Sequence, residues 1–163
     1  MRRGIVRAAA GVVLAALSAP AAQAQPAVDP CSLMTGDEFA ALAGRPAFGE
    51  PEAMALGAGA VCGYDGGQIV LFSGATAWQD WERVMQAFGQ QDAARTPVPE
   101  LGEDAYALLV EPANAYQSPA AFVVFGAGPH AVAVSVDGED GQPPEAALPN
   151  AVGVAEAVAA KLR

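Results

Sequence analysis

Cys31 and Cys62 are the only two thiols in this chain of 163 residues, so they permit a single intramolecular bridge. In the chain-entropy account, closing a loop of this length stabilises a fold by about 3 to 4 kcal/mol. That is a large share of the roughly 5 to 15 kcal/mol that holds a typical small protein together. A redox-active pair is the alternative, although the spacing is not C-x-x-C and neither thiol has a neighbouring cation.

The first residues of the chain indicate its compartment. Three arginines within the first seven residues precede an uncharged apolar stretch at 8–17, and residues 22–24 read Ala-Gln-Ala. This pattern predicts a secretory signal peptide cleaved after Ala24, with a retained amphipathic anchor as the alternative. The apolar stretch is about half of the roughly 20 residues that a transmembrane helix needs. We therefore expect a periplasmic or secreted protein without a transmembrane span, in a compartment where disulfides persist.

The charge of the chain excludes one class of partner. It carries 8 basic and 18 acidic residues, and removal of the leader leaves five basic residues and a formal charge of −13. Such a surface does not bind nucleic acid, because it has no basic surplus to neutralise phosphates. The hydrophobic fraction of 53% is enough to build a core. We predict a short tail at 25–30 and a single domain at 31–163.

The first helix has the clearest start signal. Thr35 and Glu38 form a capping-box pattern, with Thr35 as the N-cap. Met34 and Phe39 occupy the two positions of a hydrophobic staple. Gly44 is predicted to end the helix, because glycine readily adopts the left-handed conformation found after a helix.

The second helix is predicted to begin at Thr76, with Gln79 in another capping-box position, and to end at Gly89. Its apolar side chains repeat at helical spacing: Trp78, Trp81, Val84, Met85 and Phe88. The two tryptophans favour core packing over the alternative of a ligand-stacking platform.

Five segments have the composition of strands: 60–64, 68–73, 105–110, 120–125 and 130–136. Asp-Gly-Gly at 65–67 predicts a hairpin turn, and 45–59 is expected to be irregular with room for a short edge strand around Phe48. A last helix runs from about Glu145 or Pro149 to Leu162. The order α-β-β-α-β-β-β-α predicts an α+β fold, with an antiparallel sheet of about five strands flanked by three helices.

Little in the sequence points to catalysis or to a cofactor. No metal site is predicted, because His130 is the only imidazole and an ordinary residue at a strand start is the simpler interpretation of it. The acidic segment at 137–141 does not have the EF-hand spacing. Glu103 and Asp104 are the carboxylates that an enzyme would use, and nothing selects them as a pair.

Three tyrosines and the histidine are the candidate ligand-contacting residues. Tyr64, Tyr106 and Tyr116 lie in or beside predicted strands, and His130 begins one. If the tyrosines emerge on one sheet face, they could line a groove for a small molecule or a peptide. The alternative is that they pack under the helices with their hydroxyls at the surface.

Three motifs together resemble those of a known family. They are Asp-Pro-Cys-Ser-Leu-Met-Thr at 29–35, Cys-Gly-Tyr at 62–64, and Val-Pro-Glu-Leu-Gly at 98–102 followed by Asp-Ala-Tyr at 104–106. The order and spacing are similar to those of small exported bacterial domains of unknown function, many of them lipoproteins. In that family the pattern runs D-P-C-x-L-L-T, C-x-Y and V-x-G-L-G-x-x-A-Y.

The resemblance implies a disulfide between Cys31 and Cys62 and an antiparallel sheet flanked by helices. It implies a fold similar to PsbP-like domains and to the extracellular sensor domains of some mycobacterial kinases. Met34 and Glu100 depart from the family pattern in small ways, and the segment before Cys31 lacks the lipobox of a lipoprotein. The resemblance provides no catalytic residues.

These observations favour an exported, non-enzymatic domain that binds a small ligand or a protein partner in the cell envelope. A carboxylate-dependent envelope hydrolase is the alternative. A cleft that gathers acids with raised pKa values would favour the enzyme, whereas an exposed apolar patch would favour the binding protein.

Overall fold

One antiparallel sheet of seven strands runs through the computed structural model, which describes residues 28–112 and 117–163. Its strands are β1 (Glu52–Leu56), β2 (Gly59–Tyr64), β3 (Gly67–Ser73), β4 (Thr96–Pro97), β5 (Tyr106–Val110), β6 (Ala120–Ala127) and β7 (His130–Asp137). Their order across the sheet is β1-β2-β3-β7-β6-β5-β4. The predicted signal peptide and its cleavage site lie outside the described residues.

Three α-helices pack on this sheet: α1 (Gly36–Ala43), α2 (Ala77–Ala87) and α3 (Leu148–Leu162). Three short 3₁₀ helices, Pro30–Ser32, Pro99–Leu101 and Pro144–Ala147, precede α1, β5 and α3 respectively. The prediction of an α+β fold with one antiparallel sheet and three helices is confirmed.

The predicted number of about five strands is wrong, because two edge strands are added. The first four residues of β1 are exposed, so this strand has no buried face and lacks the alternation of apolar and polar residues by which a strand is predicted. It begins at Glu52, and Phe48 lies outside any strand. β4 has only two residues and contains Pro97, which an edge strand tolerates because its free side needs no hydrogen-bond donor.

Tight turns set the pairing of the first three strands. Leu56 pairs with Gly59 and Tyr64 pairs with Gly67, so each connection is two residues long. Glycines at positive φ make both turns, Gly57 at 57° and Gly66 at 83°. The hairpin predicted around residues 65–67 is therefore confirmed.

Both ends of α1 follow their sequence signals. The Glu38 backbone N–H donates to Thr35 Oγ1 at 3.2 Å, and the Thr35 N–H donates to Glu38 Oε2 at 2.8 Å. Gly44 ends the helix with φ 71°, and Met34 and Phe39 are both buried. The predicted capping box is therefore confirmed. Its two residues are three positions apart, so a local sequence motif is enough to predict it.

The start of α2 differs from its prediction. Thr76 makes no side-chain cap hydrogen bond, and its backbone does not adopt the extended conformation of a typical N-cap residue. Its hydroxyl donates instead to Asp80 Oδ2 at 2.9 Å, and Asp80 also pairs with Arg83. The predicted capping box with Gln79 is wrong, because the Thr76 hydroxyl donates its hydrogen bond to the Asp80 carboxylate instead.

The two faces of the sheet are covered unequally. On the first face, here the α1/α3 face, two helices enclose a core that includes Phe39, Ile69, Val123, Val134, Val154 and Val158. On the second, the α2 face, one helix covers a smaller cluster that includes Val70, Phe72, Trp81, Tyr106 and Val124. Residues alternate between the faces along each strand, as the period of two requires.

A disulfide joins the start of the domain to the sheet. Cys31, in the first 3₁₀ helix, is bonded to Cys62 in β2. Cys62 is 0% exposed and faces the α1/α3 side. Asp29 precedes this turn and accepts the Cys31 backbone N–H at 2.9 Å. The predicted bridge is confirmed.

Removing the bridge with the double variant Cys31→Ser and Cys62→Ser should lower the free energy of unfolding by about 3 to 4 kcal/mol. The unfolded chain then regains the entropy that the closed loop denies it. Urea unfolding followed by circular dichroism measures this loss. The control is wild-type protein under reducing conditions, which should match the variant. Equal stability of variant and oxidised wild type would contradict the prediction.

Candidate functional site

The α2 face carries an apolar groove because its helix is too small for the sheet. A helix of eleven residues such as α2 is about 16 Å long. Seven strands span roughly 29 Å along the hydrogen-bonding direction, which is the width of the sheet. The helix contacts mainly β3 and β7, so sheet surface on either side of it stays uncovered.

The groove has a volume of about 550 Å³, within the range of roughly 300 to 1,000 Å³ common for small-molecule sites. Strands contribute Met54, Ala55, Leu56, Val61, Gln68, Val70, Leu108, Val110 and Phe122, and the helix with its following turn contributes Trp81, Val84, Met85, Phe88 and Gln90. Glu111 and Gln117 complete its wall. Most of the lining is aliphatic or aromatic.

Strand register explains how the sheet side of the groove is built. Met54, Val61 and Val70 are successive cross-strand partners on β1, β2 and β3. Phe122 and Leu108 are partners on β6 and β5, further across the sheet. The groove therefore runs across the strands rather than along them.

Two large apolar side chains of the groove lining are exposed to solvent. Phe88, at the end of α2, is 69% exposed, and Met54, on the edge strand, is 50% exposed. Clustered apolar exposure of this kind is characteristic of a binding surface. Phe88 belongs to the apolar repeat predicted for the second helix, whereas Met54 falls in the segment 45–59 that is predicted to be irregular. Because four of the five residues of β1 are exposed, no burial pattern in the sequence identifies Met54.

A buried polar contact anchors α2 above the sheet. Trp81 Nε1 donates to the Tyr106 hydroxyl at 2.8 Å, and both side chains are buried. The Arg95 guanidinium lies 4.5 Å from the centre of the Tyr106 ring and donates to both carboxylate oxygens of Glu82. These contacts hold Trp81, and with it one wall of the groove, in a fixed position.

The two tryptophans have different environments. Trp81 is buried and lines the groove, as the prediction of core packing requires. Trp78 is 37% exposed, so the prediction of core packing is wrong for this tryptophan. Its indole packs over Gly126, where an added Cβ would lie 3.5 Å from the ring, an ordinary van der Waals distance.

The structure does not bring the candidate tyrosines together. Tyr64 lies on the α1/α3 face, where its hydroxyl donates to the Met34 carbonyl at 3.0 Å and its ring stacks on Phe39 at 4.3 Å. Tyr106 lies on the α2 face. Tyr116 falls outside the described residues. Tyr64 and Tyr106 therefore do not line a common groove.

His130 sits away from the groove, at the start of β7. It pairs in register with Ser73, and its Nδ1 lies 2.8 Å from the Ser73 hydroxyl oxygen. Both residues alternate onto the α1/α3 side of the sheet, beyond Leu71 and Val132. The contact joins the ends of two neighbouring strands.

The carboxylates named in the sequence do not form a catalytic pair in a cleft. Glu103 and Asp104 are exposed in the turn before β5, outside the groove lining. Burial raises the pKa of Asp137, at the end of β7, while Arg45 lowers that pKa and Asp65 raises it. Asp137 likewise does not line the groove.

Within residues 28–112 and 117–163, no three His, Cys, Asp or Glu side chains gather into a group that could hold a metal ion. No helix there is long and apolar enough to cross a membrane.

Comparisons of the chain with protein-family models, with curated proteins and with solved structures find no match.

The anchor of α2 gives a prediction. Tyr106→Phe should lower the free energy of unfolding by about 1 to 3 kcal/mol, because the buried Trp81 N–H loses its acceptor. Chemical denaturation measures the loss. In a double-mutant cycle with Trp81→Phe, the combined cost should be less than the sum of the single costs. Additive costs would contradict an energetic coupling between the two residues.

Tyr64 gives a prediction about pH. Burial, followed by the charges of Asp29 and Glu38, raises the pKa of Tyr64 from 10.0 to about 12. The unfolded chain therefore ionises this phenol first, so its contribution to stability is complete below pH 10 and is lost as the pH rises toward 12. Unfolding midpoints measured across this interval should fall less steeply for Tyr64→Phe than for wild type. Parallel curves would contradict the prediction.

Proposed function

We propose that this protein is an exported, periplasmic, non-enzymatic domain that binds a small apolar ligand in the groove of its α2 face. The observation that carries the proposal is the groove itself, whose volume is about 550 Å³ and whose lining is largely aliphatic and aromatic. Burying a ligand's apolar surface there yields about 25 cal/mol for each Å² removed from water. Such a site recognises a ligand by shape and hydrophobicity.

The lining supports binding rather than catalysis. Of the side chains that the structure places around the groove, Glu111 alone is charged, and no second acid or base stands beside it there. Acid–base chemistry usually needs paired groups in reach of one substrate. An apolar wall with glutamines at its margin is suited to holding a molecule without transforming it.

Export is supported by the disulfide and by the sequence pattern at the N-terminus. The Cys31–Cys62 bond fits an oxidising compartment, where such bonds persist. The leader-like pattern at the N-terminus supplies the route by which the chain would reach the periplasm.

We further propose that the chain belongs to the family of exported domains whose motifs it resembles, with a PsbP-like fold. Each motif has a structural role that supports this. Asp29 and Cys31 shape the bridged turn, Tyr64 bonds to the Met34 carbonyl, and Tyr106 accepts the Trp81 N–H. The motifs therefore have roles in maintaining the domain, and they do not form the groove as a group.

A groove-filling variant tests the proposed function. The probe is N-phenyl-1-naphthylamine, a neutral apolar fluorophore, titrated into the protein lacking residues 1–24. Val84→Trp places an indole in the groove and should weaken binding about tenfold or more, equivalent to at least about 1.4 kcal/mol. Gln86→Trp is the matched control, because Gln86 is exposed on the same helix and outside the lining.

The control variant should bind the probe as the wild type does. Circular dichroism and thermal unfolding confirm that both variants are folded. Equal binding by the two variants would place the probe elsewhere, and absence of binding by the wild type would overturn the apolar-ligand proposal.

A further inference from the structure

The groove is chemically uneven along its length. At one end Met54 and Leu56 come from β1, at the edge of the sheet, and at the other Val110 and Glu111 come from the end of β5. Five strand spacings separate β1 from β5, which corresponds to about 24 Å. Gln68 of β3 and Gln90 after α2 are also part of the lining, but its one charged side chain, Glu111, is at the β5 end. The site therefore suits an elongated, largely apolar ligand with a charged head at the β5 end, which is the polar end of the groove.

The polar end carries a negative charge. Glu111 is exposed in the segment that follows β5 and is the one charged side chain among the described groove residues. Gln117 lies on the same wall and adds a polar amide to that wall. An ammonium group placed here would gain a counter-charge while its chain stays in the apolar part.

The basic residues do not offer a site for an anion in the groove. Arg45 donates to the Gly138 carbonyl at 2.6 Å, Arg95 is held by Glu82, and Lys161 lies 3.2 Å from Glu38. Arg83 pairs with Asp80 on the first turns of α2. No Lys or Arg of the described chain lines the groove, so an anionic head would meet uncompensated acidic charge.

The charge of the whole domain acts in the same direction. A formal charge of −13 after the leader raises the local concentration of cations and lowers that of anions around the surface. Salt screens this general attraction within about 10 Å at 0.1 M, whereas a contact at Glu111 is short-ranged and less affected. Varying the salt concentration can therefore separate the general attraction of the domain from the contact at Glu111.

We infer that the ligand is a cationic amphiphile, with its apolar chain in the groove and its positively charged head beside Glu111. This inference rests on the proposed binding function and adds the chemical class of the ligand. Burial of the apolar chain supplies the affinity of such a molecule, and the Glu111 carboxylate favours a positive charge on its head group.

Three probes with the same decyl chain test the inference: decyltrimethylammonium, decyl maltoside and decyl sulfate. Each is titrated by calorimetry, below its micelle concentration and at 0.15 M salt, into the protein lacking residues 1–24. We expect the cationic probe to bind more tightly than the neutral one, and the anionic probe to bind most weakly.

Glu111→Gln should weaken binding of the cationic probe about threefold to fivefold and leave the neutral probe within about twofold of the wild type. Glu103→Gln is the matched control, because it removes the same charge from an exposed site at the opposite end of β5, outside the groove lining. Glu111→Lys should reverse the order of the two charged probes. Circular dichroism verifies the fold of all three variants.

The outcomes separate the inference from the function on which it rests. Equal effects of Glu111→Gln and Glu103→Gln on the cationic probe would overturn the inference, while groove binding of the neutral probe would stand. A neutral probe that fails to bind, or that binds Val84→Trp as well as wild type, would overturn the proposed function itself.

Discussion

The burial of a two-sided sheet is the constraint on which the rest of this structure depends. Both faces of the seven strands carry apolar residues, and two of the three helices lie on one of them. The central strands are buried almost continuously, with Val123, Val124 and Val134 fully enclosed. The remaining face has one helix of eleven residues to cover it, so the groove results from an unequal division of helices between the faces.

The edge strands depend on local devices rather than on a deep core. β1 is held by its tight turn to β2, and β2 is tied through Cys62 to the first 3₁₀ helix. The helix–sheet contact on the other face relies on a different device, the buried hydrogen bond from Trp81 to Tyr106. Each side of the sheet is thus fixed by specific bonds in addition to its packing.

Features encoded by neighbouring residues were predictable from the sequence, and features that depend on distant partners were not. The Thr35–Glu38 capping box and the hairpin around residues 65–67 involve residues a few positions apart, and both predictions are confirmed. The turn itself is one residue shorter than predicted, because Gly67 already pairs with Tyr64. The Thr76 hydroxyl donates a hydrogen bond to the Asp80 carboxylate and so does not form the expected cap. The capping-box motif does not describe this competing contact. The groove combines residues from five strands and a helix, so only their pairing in space could reveal it. The tyrosines were selected by residue type, and the alternation along β2 and β5 places the two described ones on opposite faces.

Val61 and Cys62 are neighbours on β2 that face opposite sides of the sheet. Val61 forms part of the groove wall, whereas Cys62 carries the crosslink. One strand therefore joins the redox state of the chain to the integrity of the groove. Reduction of the crosslink would leave the wall at Val61 less firmly fastened, and oxidation would secure it.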